Sequence, residues 1–72
     1  MKKYMANFRV EDLLVGQIYQ SPNSSWKYGK IIFAEKREDI SYENATPYLV
    51  TYIPMYSEKM REHATILVPN NN

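Results

Sequence analysis

Two prolines, Pro47 and Pro54, bracket the stretch Tyr48-Leu49-Val50-Thr51-Tyr52-Ile53, and this bracket constrains the fold more than any other feature of the chain. Proline lacks a backbone donor, so sheets tolerate it at a strand's first position or just beyond its end. The pair therefore frames a strand over 48–53. Along it Tyr48, Val50 and Tyr52 share one face, and Leu49, Thr51 and Ile53 share the other. Neither face is polar, so one of them is expected to lie beneath a partner strand or a ligand.

A second strand is expected over Lys27–Lys36, where Ile31-Ile32-Phe33-Ala34 forms an apolar centre between charged ends. A run apolar on both faces suggests a strand that bends and packs two ways. Shorter strands are expected over 17–20 and 64–68, the latter ending at Pro69. Ser21-Pro22-Asn23-Ser24-Ser25 is a strong loop signal, and 37–46 reads as a polar connection. Val10, Leu13 and Leu14 sit at helical spacing before Gly16, which predicts one helical turn with a left-handed glycine at its end. A second turn is expected over 57–62 with Ser57 as its N-cap. Residues 1–7 and 70–72 are expected to be loose.

The 72 residues leave room for a single domain, and they include no cysteine. No disulfide can staple the fold, so apolar packing, a well-closed sheet or a partner must hold it. Seven tyrosines, one tryptophan and two phenylalanines tilt the composition towards strands. Only Gly16 and Gly29 are glycine, so each is expected to mark a turn or a cap. The fold class is thus mostly β: a small barrel, or a curled antiparallel sheet of four to five strands, with one or two short helical turns. A closed barrel would hide the edges that a flat sheet of this size exposes.

The segments Asp12-Leu13-Leu14-Val15-Gly16-Gln17-Ile18-Tyr19 and Trp26-Lys27-Tyr28-Gly29-Lys30-Ile31-Ile32, followed by two closing strands, resemble the SH3-like small barrels. The pattern also looks like that of short accessory proteins encoded by bacteriophages. The resemblance covers most of the chain. It implies that exposed aromatics on the loop after the first strand form a ligand groove.

Few residues suit catalysis. His63 is the only histidine, and no Gly-x-Ser-x-Gly elbow accompanies Ser57. Glu58, Glu62 and His63 would supply at best part of a metal site, and Glu38, Asp39 and Glu43 lack a calcium-loop arrangement. Two isolated glycines make no phosphate cradle. The expectation is a protein that is not an enzyme, with no catalytic residues, no cofactor and no metal. Lys2 and Lys3 are followed by no apolar core of signal-peptide type, and no stretch has the length of a membrane span. A cytoplasmic location without membrane contact is therefore expected.

Three surfaces could carry binding. Tyr19, Trp26 and Tyr28, interleaved with Lys27 and Lys30, combine the residues most enriched at interface hot spots. Tyr52, Met55, Tyr56 and Met60 make an adaptable apolar patch suited to a protein. The competing reading is that both sets cover the ends of a small core. Lys27, Lys30, Lys36 and Arg37 with Trp26 and Tyr28 could contact single-stranded nucleic acid, although Glu35, Glu38 and Asp39 interrupt the stripe. Net charge is only +1, which gives no long-range field for a polyanion. The leading expectation is a non-catalytic protein-binding module, an inhibitor or accessory factor of phage or mobile-element type that docks on a larger protein. A nucleic-acid-binding barrel is the alternative, and a homodimer buried through its aromatic patch is a third reading.

Overall fold

The computed structural model describes residues 9–70. The chain runs α1 (Val10–Leu14), β1 (Ile18–Gln20), β2 (Lys27–Lys36), β3 (Ala45–Pro54) and β4 (Glu62–Pro69). The strands form one antiparallel sheet in the order β1-β2-β3-β4, curled into a half-barrel. The choice between closed barrel and curled sheet thus falls to the curled sheet, with β1 and β4 as its edges. A cleft of about 510 Å³ lies between them, lined by Tyr19, Ile31, Thr65, Ile66 and Leu67 among others.

The core occupies the concave face. Ile31, Ala34, Tyr48, Val50 and Tyr52 are buried there, and Val10, Leu14, Tyr19, Ala64, Ile66 and Val68 pack against them. The apolar run of β2 does bend. Ile31 pairs with Tyr52 and Phe33 with Thr51, so Ile32 stands opposite no residue, a β-bulge. One extra residue shifts the alternation and increases the local twist. Ile31 and Ala34, three apart, consequently share the buried face, while Ile32 and Phe33 are exposed.

α1 ends as its sequence foretells, with Gly16 at φ +98°. Glycine alone adopts this backbone without strain. The turn is then pinned to β2, since Gly16 N–H donates to the Ile31 carbonyl (2.8 Å) and Ile31 N–H to that of Gln17 (2.9 Å). Gly29 has another role than the turn or cap expected of it. It lies within β2, and a Cβ there would come within 2.7 Å of the Ile53 carbonyl carbon and closer still to its oxygen. Close approach of two backbones requires the missing side chain.

β3 is longer than its proline bracket and contains both prolines. The last β2–β3 pair is Lys36 with Tyr48, and the Pro47 carbonyl accepts from Arg37 N–H (3.0 Å) just beyond it. The donor that Pro47 lacks would face the side where β2 has already ended. β1 and β4 likewise differ from expectation by one or two residues at their ends. No second helical turn forms over 57–62. Ser57 instead closes a tight turn, its Oγ accepting from Lys59 N–H (3.3 Å) and its carbonyl from Met60 N–H (3.4 Å). Asn70, expected in a loose tail, is tied to the start of β3: its N–H donates to the Asn44 carbonyl (3.0 Å) and its Oδ1 accepts from Thr46 Oγ1 (2.6 Å). The loose segments expected at 1–7 and 71–72 lie outside the described residues.

Candidate functional site

The two aromatic sets read separately from the sequence meet at one end of the sheet. Tyr19 of β1 stacks on Tyr28 of β2, with ring centroids 4.8 Å apart and planes 26° apart. Both approach Tyr52 of β3 in tilted geometry, at 5.2 and 6.4 Å. Register and a bulge together produce the cluster: Tyr19 lies opposite Gly29 and Gly29 opposite Pro54, while Tyr28 is skipped between the pairs Tyr19–Gly29 and Gln20–Lys27 and stacks on Tyr19. Offset and tilted pairs of this kind add about 0.5–1.5 kcal/mol each beyond the area they bury. Tyr52 is buried beneath its neighbours, whereas Tyr28 is 37% exposed.

Beside this cluster opens a cleft of about 660 Å³, lined by Ser24, Ser25, Trp26, Lys27, Tyr28, Met55, Tyr56 and Glu62. The volume suits a small ligand or a side chain of a partner. Its walls come from two turns. In the first, Ser21 N–H donates to the Trp26 carbonyl (2.9 Å) and Trp26 N–H to Ser24 Oγ (3.2 Å), which holds the indole at the start of β2. In the second, Met55 N–H donates to the Tyr28 carbonyl (2.9 Å), so Met55 and Tyr56 emerge directly beside Tyr28. Trp26, Met55 and Tyr56 are 64%, 63% and 70% exposed. Three large apolar side chains left in water together are uncommon in so small a domain.

Glu62 is the acidic residue of the cleft. Its Oε1 accepts from the Tyr52 hydroxyl (2.9 Å) and its Oε2 from the Tyr56 hydroxyl. Hydrogen bonds from Tyr56 and then Tyr52 hold the Glu62 carboxyl below its usual range. Burial, reinforced by Glu62, pushes the Tyr52 phenol up to about 12. The Tyr56 phenol is also raised, chiefly by its bond to Glu62. At neutral pH the arrangement is therefore one carboxylate and two neutral phenol donors.

The structure gathers Trp26, Lys27, Tyr28, Met55 and Tyr56 around one cleft, with Tyr19 and Tyr52 beneath and beside it. Lys30 and Met60 stand apart. Lys30 pairs with Ile53 and lines a different depression with Pro54, Glu58 and Arg61, and Met60 is exposed in the turn before β4. The residue that sequence reasoning passed over is Glu62. Its partnership with Tyr52 is a matter of register, since the two lie opposite each other in the β3–β4 pair. Glu62 and His63 occupy successive positions of β4 and so face opposite sides of the sheet. Among the described residues no group of three histidine or acidic side chains is placed to hold a metal ion, and no helix is long and apolar enough to cross a membrane.

Comparison with known protein families, with curated proteins and with solved structures finds no match for this chain.

Proposed function

We propose that this chain is a non-catalytic protein-binding module, an inhibitor or accessory factor of phage or mobile-element type acting in the cytoplasm, which docks on a larger protein through the aromatic cleft at the Tyr52 end of its sheet. The observation that carries the reading is the joint exposure of Trp26, Met55 and Tyr56 around one cleft. Aromatic and methionine side chains bury much area on contact, and Trp and Tyr lead among hot-spot residues. The chemistry of Glu62 points the same way. A general acid or base works best with a pKa near the operating pH, and the two phenols move this carboxyl in the opposite direction.

The nucleic-acid reading draws support from Lys27, which lines the cleft with Trp26 and Tyr28. The rest of the basic stripe adds little to it, and Lys30 lines a different depression. Lys36 stands at the other end of β2, roughly 30 Å away at about 3.3 Å per residue, and Arg37 is engaged by Asp39 (2.6 Å) and Thr65 (2.9 Å). A carboxylate inside the cleft also repels phosphate.

The test is affinity capture from cell extract with the immobilised chain and with Trp26→Ala and Tyr56→Ala, each checked for folding by circular dichroism. The expected outcome is a captured protein lost or reduced at least tenfold in both variants. Unchanged capture by both variants overturns the reading, and oligonucleotide binding that weakens steeply with salt would put the nucleic-acid reading in its place.

A further inference from the structure

We infer that the aromatic cleft receives an arginine side chain of the partner, with Glu62 as its counter-ion and the rings that line the cleft as its stacking walls. The inference rests on the protein-binding reading above and adds the chemistry of the group that enters.

Three observations converge on a guanidinium. The cleft places one carboxylate among Trp26, Tyr28, Met55 and Tyr56, so its charge sits against apolar and aromatic surface. The two ion pairs found among the described residues are Arg9–Glu11 and Arg37–Asp39, so among those residues Glu62 is held by phenols and not by a cation. Lys27 lines the same cleft without pairing to Glu62. The hydrogen-bond inventory then favours a fork over a point charge. A carboxylate offers about four acceptor positions on its two oxygens, and each Glu62 oxygen takes one phenol hydroxyl. One position remains on each oxygen, which suits two parallel N–H groups donated side by side. The phenols also orient the carboxylate, so little freedom is lost when it is engaged.

The walls favour the same cation. Guanidinium is planar and weakly hydrated, and it stacks on aromatic faces; an ammonium is compact and strongly hydrated. Trp26, Tyr28 and Tyr56 supply three aromatic rings to one cleft. A lysine would gain the charge but forfeit the fork and the stacking.

Trp26 is the only tryptophan in the chain, so selectively excited indole emission reports on the cleft directly. The full chain is titrated with N-acetyl-arginine amide, and in parallel with the lysine and citrulline counterparts. The expected result is a saturable emission change with arginine amide, with half-saturation at about 1–10 mM, as suits one isolated side chain. Lysine amide binds severalfold more weakly and citrulline amide, which keeps the shape but not the charge, gives no saturation. Glu62→Gln weakens arginine amide at least tenfold. Tyr56→Ala, at a side chain 70% exposed, weakens it as well. Equal binding of citrulline, or full arginine affinity in Glu62→Gln, overturns the proposal. If partner capture is lost in Trp26→Ala while Glu62→Gln captures normally, the arginine receptor falls and the protein-binding module stands.

Discussion

Strand β3 carries a tyrosine near each end of its concave face, and the two are covered in different ways. Tyr48 and Tyr52 are equally buried, at 6% and 7% exposure. At the Tyr48 end the short helix α1 lays Val10 and Leu14 against the core, near Val68 of β4. At the Tyr52 end no helix is available, and the rings of Tyr19 and Tyr28 stack over it instead. Aliphatic side chains have no polar tip to satisfy, so the helix closes its end simply by packing. The buried Tyr52 brings a hydroxyl that must find a partner, and the β3–β4 register sets Glu62 opposite it. The cleft is a by-product of covering a core with aromatics from neighbouring strands.

The hardest test of this contrast compares the two glycines. Gly29→Ala, at the aromatic end, forces a Cβ into the Ile53 carbonyl and should cost about 3 kcal/mol, the upper part of the range for overpacking. Gly16→Ala, at the helical end, meets open space but must hold φ at +98°, which costs about 1–2 kcal/mol. Urea unfolding of both variants gives the order. A smaller loss at Gly29 would mean that the sheet relaxes there at little cost.

A smaller effect separates lids from walls. Leu14→Ala strips the helix of one of its two core contacts and should lower stability by about 1.5 kcal/mol. Trp26→Ala should change it by less than about 0.5 kcal/mol, since the indole stands mostly in water. Thermal unfolding of the two variants decides this. A large loss for Trp26→Ala would make the indole a structural cover and not a binding surface.

The smallest loss at a buried residue is expected at Tyr52. Tyr52→Phe deletes one hydroxyl bond to Glu62 and should cost about 1 kcal/mol at neutral pH. The pH dependence follows from the raised phenol. Unfolded tyrosine ionises near 10.0 and the folded group at about 12. The stabilisation is therefore complete below pH 10, and it is lost progressively as pH rises through 12. Thermal scans across that window should show a decline that Tyr52→Phe largely removes. Glu62 acts on the opposite side: with its carboxyl held low, its contribution is present above the usual glutamate range and fades as pH falls.

Much of the fold was legible because strands advertise themselves locally. The apolar run through Ile31 and Ala34, the tyrosine-rich stretch between two prolines, and Gly16 after Leu14 each announce an element within a few residues. The features that stayed hidden depend on what lies across the sheet. Gly29 is glycine because of Ile53. Pro47 can lie inside β3 because β2 ends opposite it. The site follows the same division. Its aromatics could be named from composition and loop position, but their union at one end needs the β1–β2–β3 register, and Glu62 needs the β3–β4 register as well. Met60 and Lys30 were grouped with the site by nearness in sequence, and the turn and the strand face carry them elsewhere.

The unpaired Ile32 has a consequence for how this chain tolerates change in length. The pairs on either side of it are already consecutive on β3, Tyr52 with Ile31 and Thr51 with Phe33. Losing its single codon would therefore keep the reading of every pair and send every β2 side chain to the face it now occupies. Only the bend would go. An otherwise silent deletion would straighten β2 between Ile31 and Phe33 and leave Tyr28 beside Tyr52, since both are tied by pairs on the near side of the bulge. The sheet could thus lose its bend while the cleft it presents kept its shape.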